Sequence, residues 1–238
     1  MTLLERLEIP TLQQQRIPVK TLIEQLQPIP ENKRLIKSHV GSIYLVSLLN
    51  QQTIHFRPYK DDDYSYQVVY VLHITLKKQD QLTDVSMQLH SAFPEPTILL
   101  LEYGDKEWIS VAPKHINKLD ATKTVLDDVV VQQVDNSLDI SIKNLSATDL
   151  KDYYTQIVKL VYKIVVYNVI HIFPALDFDY KTVIKEYQQL SANINNLKER
   201  YKKATMKSEK MDIDDQIYDE EMKQKQLIKN HHLHSGPI

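Results

Sequence analysis

The segment Tyr66–Lys78, YQVVYVLHITLKK, decides how the rest of the chain is read. Val68, Tyr70, Leu72, Ile74 and Leu76 alternate onto one face, while Val69 and Val71 make the other partly apolar. A strand that is apolar on both faces belongs inside a sheet covered on both sides. Next comes QLTDVSMQLHSAFPEP (81–96), which places Leu82, Val85, Leu89 and Phe93 on one helical face. Asp80 is the expected N-cap, and Pro94 and Pro96 end the helix. TILLLEY (97–103) reads as a second buried strand, Gly104-Asp105 as a turn and EWISVAP (107–113) as its partner strand.

Working outward toward the N-terminus, Pro18 suits the first turn of a helix VKTLIEQLQ with Leu22, Ile23 and Leu26 as its apolar stripe. Pro28 and Pro30 break that helix, and 31–39 forms a second one with Leu35 and Ile36 inward. SIYLVSLLN (42–50) and TIHFRP (53–58) are rich in β-branched and aromatic residues, and their spacing predicts an antiparallel hairpin. In the other direction, VLDDVVVQQV (125–134) and LDISI (138–142) predict two more strands. SATD (146–149) approximates a capping box for a long amphipathic helix carrying Leu150, Ile157, Leu160, Val161 and Ile164. FPALDFDYK (173–181) reads as a linker.

Beyond the linker, Val183, Tyr187, Leu190, Ile194, Leu197, Tyr201 and Ala204 recur at alternating steps of four and three. That is a heptad seam, narrower than the stripe of a helix packed on its own domain. The reading is a coiled coil or helical hairpin, with Val183, Tyr187, Leu190, Ile194, Leu197 and Tyr201 as candidate self-association residues; a helix lying on its own domain is the alternative. The expected organisation is an α+β core domain over residues 1–180, a mixed β-sheet flanked by helices. A C-terminal helical, coiled-coil extension with a flexible tail follows over residues 181–238.

Composition removes several functions. Only Gly41, Gly104 and Gly236 are present, too few and too scattered for a phosphate-cradling GxxxxGKS/T loop, a GxGxxG turn or a GxSxG elbow. No cysteine exists for disulfides, zinc ribbons or thiol chemistry. The N-terminus lacks the pattern of a signal peptide, and the apolar run near 160–172 is interrupted by Lys163, Asn168 and His171. A cytoplasmic location with no membrane partner is expected. Charge is uneven: residues 1–60 carry eight Lys/Arg against four Asp/Glu, whereas residues 61–180 carry ten against eighteen.

Three chemical readings remain open. Helix, three strands, helix, strand (αβββαβ) is the order of PD-(D/E)xK nucleases, whose carboxylates hold a divalent metal that activates water beside a lysine. Lys77 takes the lysine position, but Thr75 stands where the D/E-x-K acid is needed, so Asp61 or Asp63 would have to supply the ligand, with Mg2+ as cofactor. Those acids equally describe a solvated turn. Arg57 and Lys60 among Tyr64 and Tyr66 could stack unpaired bases over a basic groove, or the tyrosines could simply reflect strand propensity. His73 reads as a hydrogen-bonded sheet residue, and His231, His232 and His234 as a solvent-exposed tract; no metal ligand set is assigned.

RIPVKTLIEQL (16–26), YLVSLLNQQTIHF (44–56), YQVVYVLHITLKK, the helix ending FPEP, and TILLLEYGDKEWISVAPKH (97–115) together resemble the bacterial domain-of-unknown-function 4391 family. The likeness covers about residues 7–230. Members look like companions of helicases and DNA methyltransferases in restriction-like gene clusters. The resemblance implies a part in defence against foreign DNA and carries over no catalytic residues; the leading expectation is a non-enzymatic accessory subunit that binds such a partner. A metal-dependent nuclease and a single-stranded nucleic-acid binder are the alternatives.

Overall fold

The strand expected at the centre is present as Val69–Leu76, flanked by two neighbours in a six-stranded mixed sheet. It is seen in a computed structural model that describes residues 1–25, 29–174 and 177–231. The first elements are α1 (Leu3–Arg6), β1 (Gln15–Ile17), α2 (Val19–Gln25), α3 (Pro30–His39), β2 (Val40–Leu49) and α4 (Gln51–Ile54). Then come β3 (Tyr59–Lys60), β4 (Ser65–Tyr66), β5 (Val69–Leu76), α5 (Leu82–Ser91), β6 (Thr97–Tyr103) and β7 (Lys106–Val111). The chain continues through β8 (Lys114–Asn117), β9 (Asp120–Leu126), β10 (Val130–Gln133), α6 (Leu150–Ile170), α7 (Tyr180–Lys203) and α8 (Lys207–Asn230). It separates into two compact units, Met1–Val161 and Tyr162–Ile238, and α6 contributes to both.

In the first unit the sheet order is β1-β2-β5-β6-β7-β10. β5 and β6 are parallel, as the intervening helix α5 requires, and every other pair is antiparallel. One face buries Ile43, Leu72, Ile74, Leu99, Leu101 and Trp108 against Leu22 and Ile23 of α2, Ile36 of α3, and Val85 and Leu89 of α5. Full burial of each such aliphatic side chain contributes about 1.5–3 kcal/mol. The opposite face, by alternation, carries Val71, His73, Ile98, Leu100, Glu102 and Glu107.

Several local expectations are corrected. TIHFRP is no strand: the Asn50 carboxamide accepts from Gln52 N (2.9 Å) and Thr53 N (3.2 Å), and the Thr53 hydroxyl accepts from Asn50 N (2.9 Å). This capping box winds 51–54 into a helical turn, which the absence of a turn glycine favours over a tight hairpin. The middle of the three strands expected before α5 is therefore missing: β2 pairs directly with β5, and the β3–β4 hairpin that follows α4 forms a separate two-stranded sheet. Gln81, at φ +51°, precedes α5 in place of Asp80, whose carboxylate lies 3.4 Å from His39 Nε2. Residues 125–134 divide between β9, paired with β8, and β10, at the sheet edge. LDISI is not a strand, although Leu138, Ile140 and Ile142 alternate into the core. Asp149, not Ser146, caps α6, accepting from Asp152 N at 3.0 Å, while the Asp152 carboxylate accepts from Thr148 N at 3.0 Å. Leu26 and Pro28 lie outside the described residues.

In the second unit α7 and α8 form an antiparallel helical hairpin. Ser191 meets Gln224 (2.8 Å), Asn193 meets Glu220 (3.1 Å), and Leu197 packs with Ala204, Ile213 and Ile217. Val183 and Leu190 are buried with Leu227 of α8 and Val166 and Ile170 of α6, and Tyr187 packs against that cluster. The heptad seam is thus filled within the chain, except at Tyr201, which stays 37% exposed with Lys210 Nζ 5.4 Å from its ring centre. Among the described residues, no helix is long and apolar enough to cross a membrane.

Candidate functional site

The carboxylates of Asp61 and Asp63 sit in the β3–β4 turn. Asp61 accepts from the Tyr59 hydroxyl (2.6 Å) and from the backbone N–H groups of Asp63 (2.9 Å) and Tyr64 (2.6 Å). The Tyr59 hydroxyl, aided by those amides, holds its carboxyl below the usual range. This is an Asx turn, with the acid folding its own backbone. Asp63 faces Lys118 at 3.8 Å, and its carbonyl accepts from Ile116 N at 2.7 Å.

Lys77 follows the other end of β5. Its ammonium donates to Lys37 O (2.9 Å) and its backbone N–H to His39 O (2.7 Å), so it caps the C-terminal carbonyls of α3. The eight residues of β5 separate it from the Asp61 turn, roughly 26 Å at the rise of a strand. The structure does not bring these candidates together. Among the described residues, no three His, Asp or Glu side chains converge as ligands for Mg2+ or another metal.

The proposed base-stacking set is also engaged locally. Tyr66 is buried, with its ring 5.7 Å from that of Tyr154 and 6.5 Å from that of Tyr64, and burial pushes its hydroxyl up to about 12. Lys151 Nζ lies 3.6 Å from the Tyr64 ring centre and 4.6 Å from that of Tyr59, so one cation covers both rings. Arg57 O accepts from Leu150 N at 3.0 Å, which fixes the start of α6 to this loop. The side chains of Arg57 and Lys60 remain exposed. His231 lies 5.5 Å from the Phe178 ring, while His232 and His234 fall outside the described residues.

A cleft of about 320 Å³ opens on the other sheet face, between α1 and the ends of β5, β6 and β7. Within it His73 Nε2 and Glu102 Oε2 are 2.8 Å apart. Glu107 accepts from Leu3 N (2.8 Å) and pairs with the buried Arg6 (3.4 Å). A carboxylate so placed orients an imidazole. The Thr2 hydroxyl is taken by the α1 cap, and Leu3, Leu4, Leu100 and Leu101 supply no nucleophile.

Sequence reasoning missed the most concentrated polar constellation. Lys114 is 3% exposed, and its amine donates to the carbonyls of His90 (2.7 Å), Phe93 (2.5 Å) and Glu95 (2.8 Å), closing the C-terminus of α5. Burial pushes this amine down to about 7, opposed by the Glu95 carboxylate. His90 is fully buried, with Nδ1 2.5 Å from the Thr97 hydroxyl and Nε2 3.0 Å from that of Ser110. Burial, then the Lys114 charge, holds its imidazole well below its ordinary value. A neutral ring has one donor and one acceptor nitrogen, and hydroxyls satisfy either. The Tyr154 hydroxyl donates to Thr97 O (2.9 Å) and accepts from Ala112 N (3.0 Å). His90 could have been noticed as a polar residue on the buried stripe of α5, one position after Leu89. These groups are closed to solvent and join α5, β6, β7, β8 and α6; their chemistry is that of a structural joint.

Comparison with curated proteins and with solved structures finds no match. A family model described as Domain of unknown function (DUF4391) matches residues 9–224, from the segment before β1 to the last turns of α8, and the chain belongs to that family.

Proposed function

We propose that the protein is a non-enzymatic, cytoplasmic accessory subunit of a bacterial restriction-like or anti-phage defence system, docking on a helicase or DNA methyltransferase. The observation that supports docking is the α7–α8 hairpin. It closes its own seam with Val183, Leu190 and Leu227, yet leaves Met211, Tyr218 and Met222 of α8 exposed on the outside. Large apolar side chains held outward on a packed helix pair serve recognition better than folding. The defence setting comes from the family resemblance.

The test is coexpression of the full chain, tagged, with the helicase and methyltransferase encoded beside it. The expected result is stoichiometric copurification and comigration in gel filtration. A strictly solitary chain in that experiment would overturn the proposal.

A further inference from the structure

Resting on the accessory-subunit reading, we propose that the outward face of α8 is the docking surface and that its occupant is a basic amphipathic helix of the partner protein. Met211, Tyr218 and Met222 are separated by seven and four residues, which places them within an arc of about 40° and along roughly 16 Å of helix. They are 61%, 62% and 44% exposed, while Ile213, Ile217 and Leu227 occupy the inward side. A row of large side chains at this spacing is what a second helix reads from a neighbour.

Charge identifies the occupant. Residues 212–221 hold six Asp and Glu and no Lys or Arg. Asp214, Asp215 and Asp219 border the row and are exposed. Asp214 and Asp215 form no ion pair among the described residues, whereas Glu220 and Glu221 are held by Lys223 and Lys198.

The acidic run and the apolar row share the same midpoint, near residues 216–217. A second copy laid along this row, parallel or antiparallel about that midpoint, sets acid against acid, which is destabilising. Nucleic acid is repelled for the same reason. A helix with leucine-like anchors at three- and four-residue spacing, flanked by Lys and Arg, satisfies both the row and its border.

Two arms test this. In the first, the full chain is titrated with a fluorescent 18-residue amphipathic leucine–lysine peptide and with its leucine–glutamate counterpart. The basic peptide should bind more tightly, weaken as salt rises, and lose at least tenfold with Met211→Glu/Tyr218→Glu and with Asp214→Lys/Asp215→Lys. All four sites are exposed, so melting temperature and far-ultraviolet circular dichroism should be unchanged. Equal binding of both peptides, or equal binding by the variants, overturns the inference.

In the second arm the same variants enter the copurification experiment. Loss of the partner supports the inference; retention moves the interface elsewhere and overturns it while leaving the accessory role standing. Failure of the unaltered chain to copurify counts against that role, and the peptide arm still decides the surface. A dimer in light scattering that Met211→Glu/Tyr218→Glu disperses assigns the face to a second copy and also overturns the inference.

Discussion

Replacing Lys114 with methionine tests whether the buried amine is held charged or held neutral. The variant removes donors to three carbonyls; His90 O keeps a second partner in Phe93 N (3.4 Å), while Phe93 O and Glu95 O lose theirs. Each buried carbonyl left unpaired costs about 1–3 kcal/mol. Against that loss stands the relief of the desolvation that lowers the amine to about 7 from its ordinary value of 10.5.

The two contributions differ in their dependence on pH. Below pH 7 both the folded and the unfolded chain carry the proton, and the folded state bears the whole desolvation cost. Between about 7 and 10.5 the folded amine is neutral while the unfolded one stays protonated, so stability rises with pH. The limiting slope is about 1.4 kcal/mol per pH unit. Methionine does not titrate, so urea unfolding of both proteins at several pH values from 7 to 9.5 isolates Lys114. The advantage of lysine over methionine should widen by on the order of 1 kcal/mol per unit across that range. The range stops short of the tyrosines: burial raises Tyr66, Tyr153 and Tyr154, so the unfolded chain loses those protons first and stability falls above about pH 10. A constant gap would refute the reasoning, because it would mean that the three carbonyls hold the ammonium through the whole interval.

Tyr154→Phe deletes one hydroxyl shared by Thr97 O and Ala112 N, and should lower stability by about 1–3 kcal/mol. The guanidinium midpoint should fall at unchanged slope; an unmoved midpoint contradicts the bonding described. Two glycines separate crowding from backbone strain. An added Cβ at Gly41 would lie 3.0 Å from Thr75 O, whereas at Gly104 (φ +64°) it would meet nothing within 4 Å. Gly41→Ala should cost about 1–3 kcal/mol through overpacking and Gly104→Ala about 1 kcal/mol through the left-handed backbone, both read as melting-temperature shifts. Leu190→Asp puts a charge into the seam shared with Leu227 and should reduce the 222 nm helical signal. The emission of Trp108, the only tryptophan and a part of the sheet core, should not move; an equal loss of both signals argues against a seam effect.

What was legible in the chain was whatever depends on neighbours in sequence. β5 declared itself because both of its faces are apolar, and α5 because its stripe is bounded by prolines. The α7 seam was legible as a heptad row, but the identity of its partner was not, since α8 fully buries only Ile213, Ile217 and Leu227 amid a charged stretch. TIHFRP has the composition of a strand, but the turn before it decides otherwise: Asn50 caps a helical turn as readily as it opens a hairpin. Asp61–Asp63 admitted both a metal site and a solvated turn, and the backbone N–H groups of Asp63 and Tyr64 fill the Asp61 carboxylate. The His73–Glu102 pair could not be read at all, because it depends on the parallel register of β5 and β6. Lys114 gave no signal either, since a lysine just past a strand is ordinarily solvated.

The joint around Lys114 and His90 supplies what the apolar residues near it lack. Ile98, Leu99, Leu100 and Leu101 are all buried, so a one-residue slip of β6 exchanges its faces among side chains of nearly equal volume and hydrophobicity. Apolar burial alone discriminates weakly between such registers. The polar contacts do not, because Thr97 and Ser110 must both point toward α5 to meet the two ring nitrogens of His90. A slip turns Thr97 to the other face and leaves a buried ring nitrogen unpaired, at a cost of about 1–3 kcal/mol. It also takes Thr97 O from the Tyr154 hydroxyl and so separates α6 from β6. The buried polar groups therefore select one register among several that the apolar core would tolerate, and the same register holds His73 beside Glu102 on the opposite face.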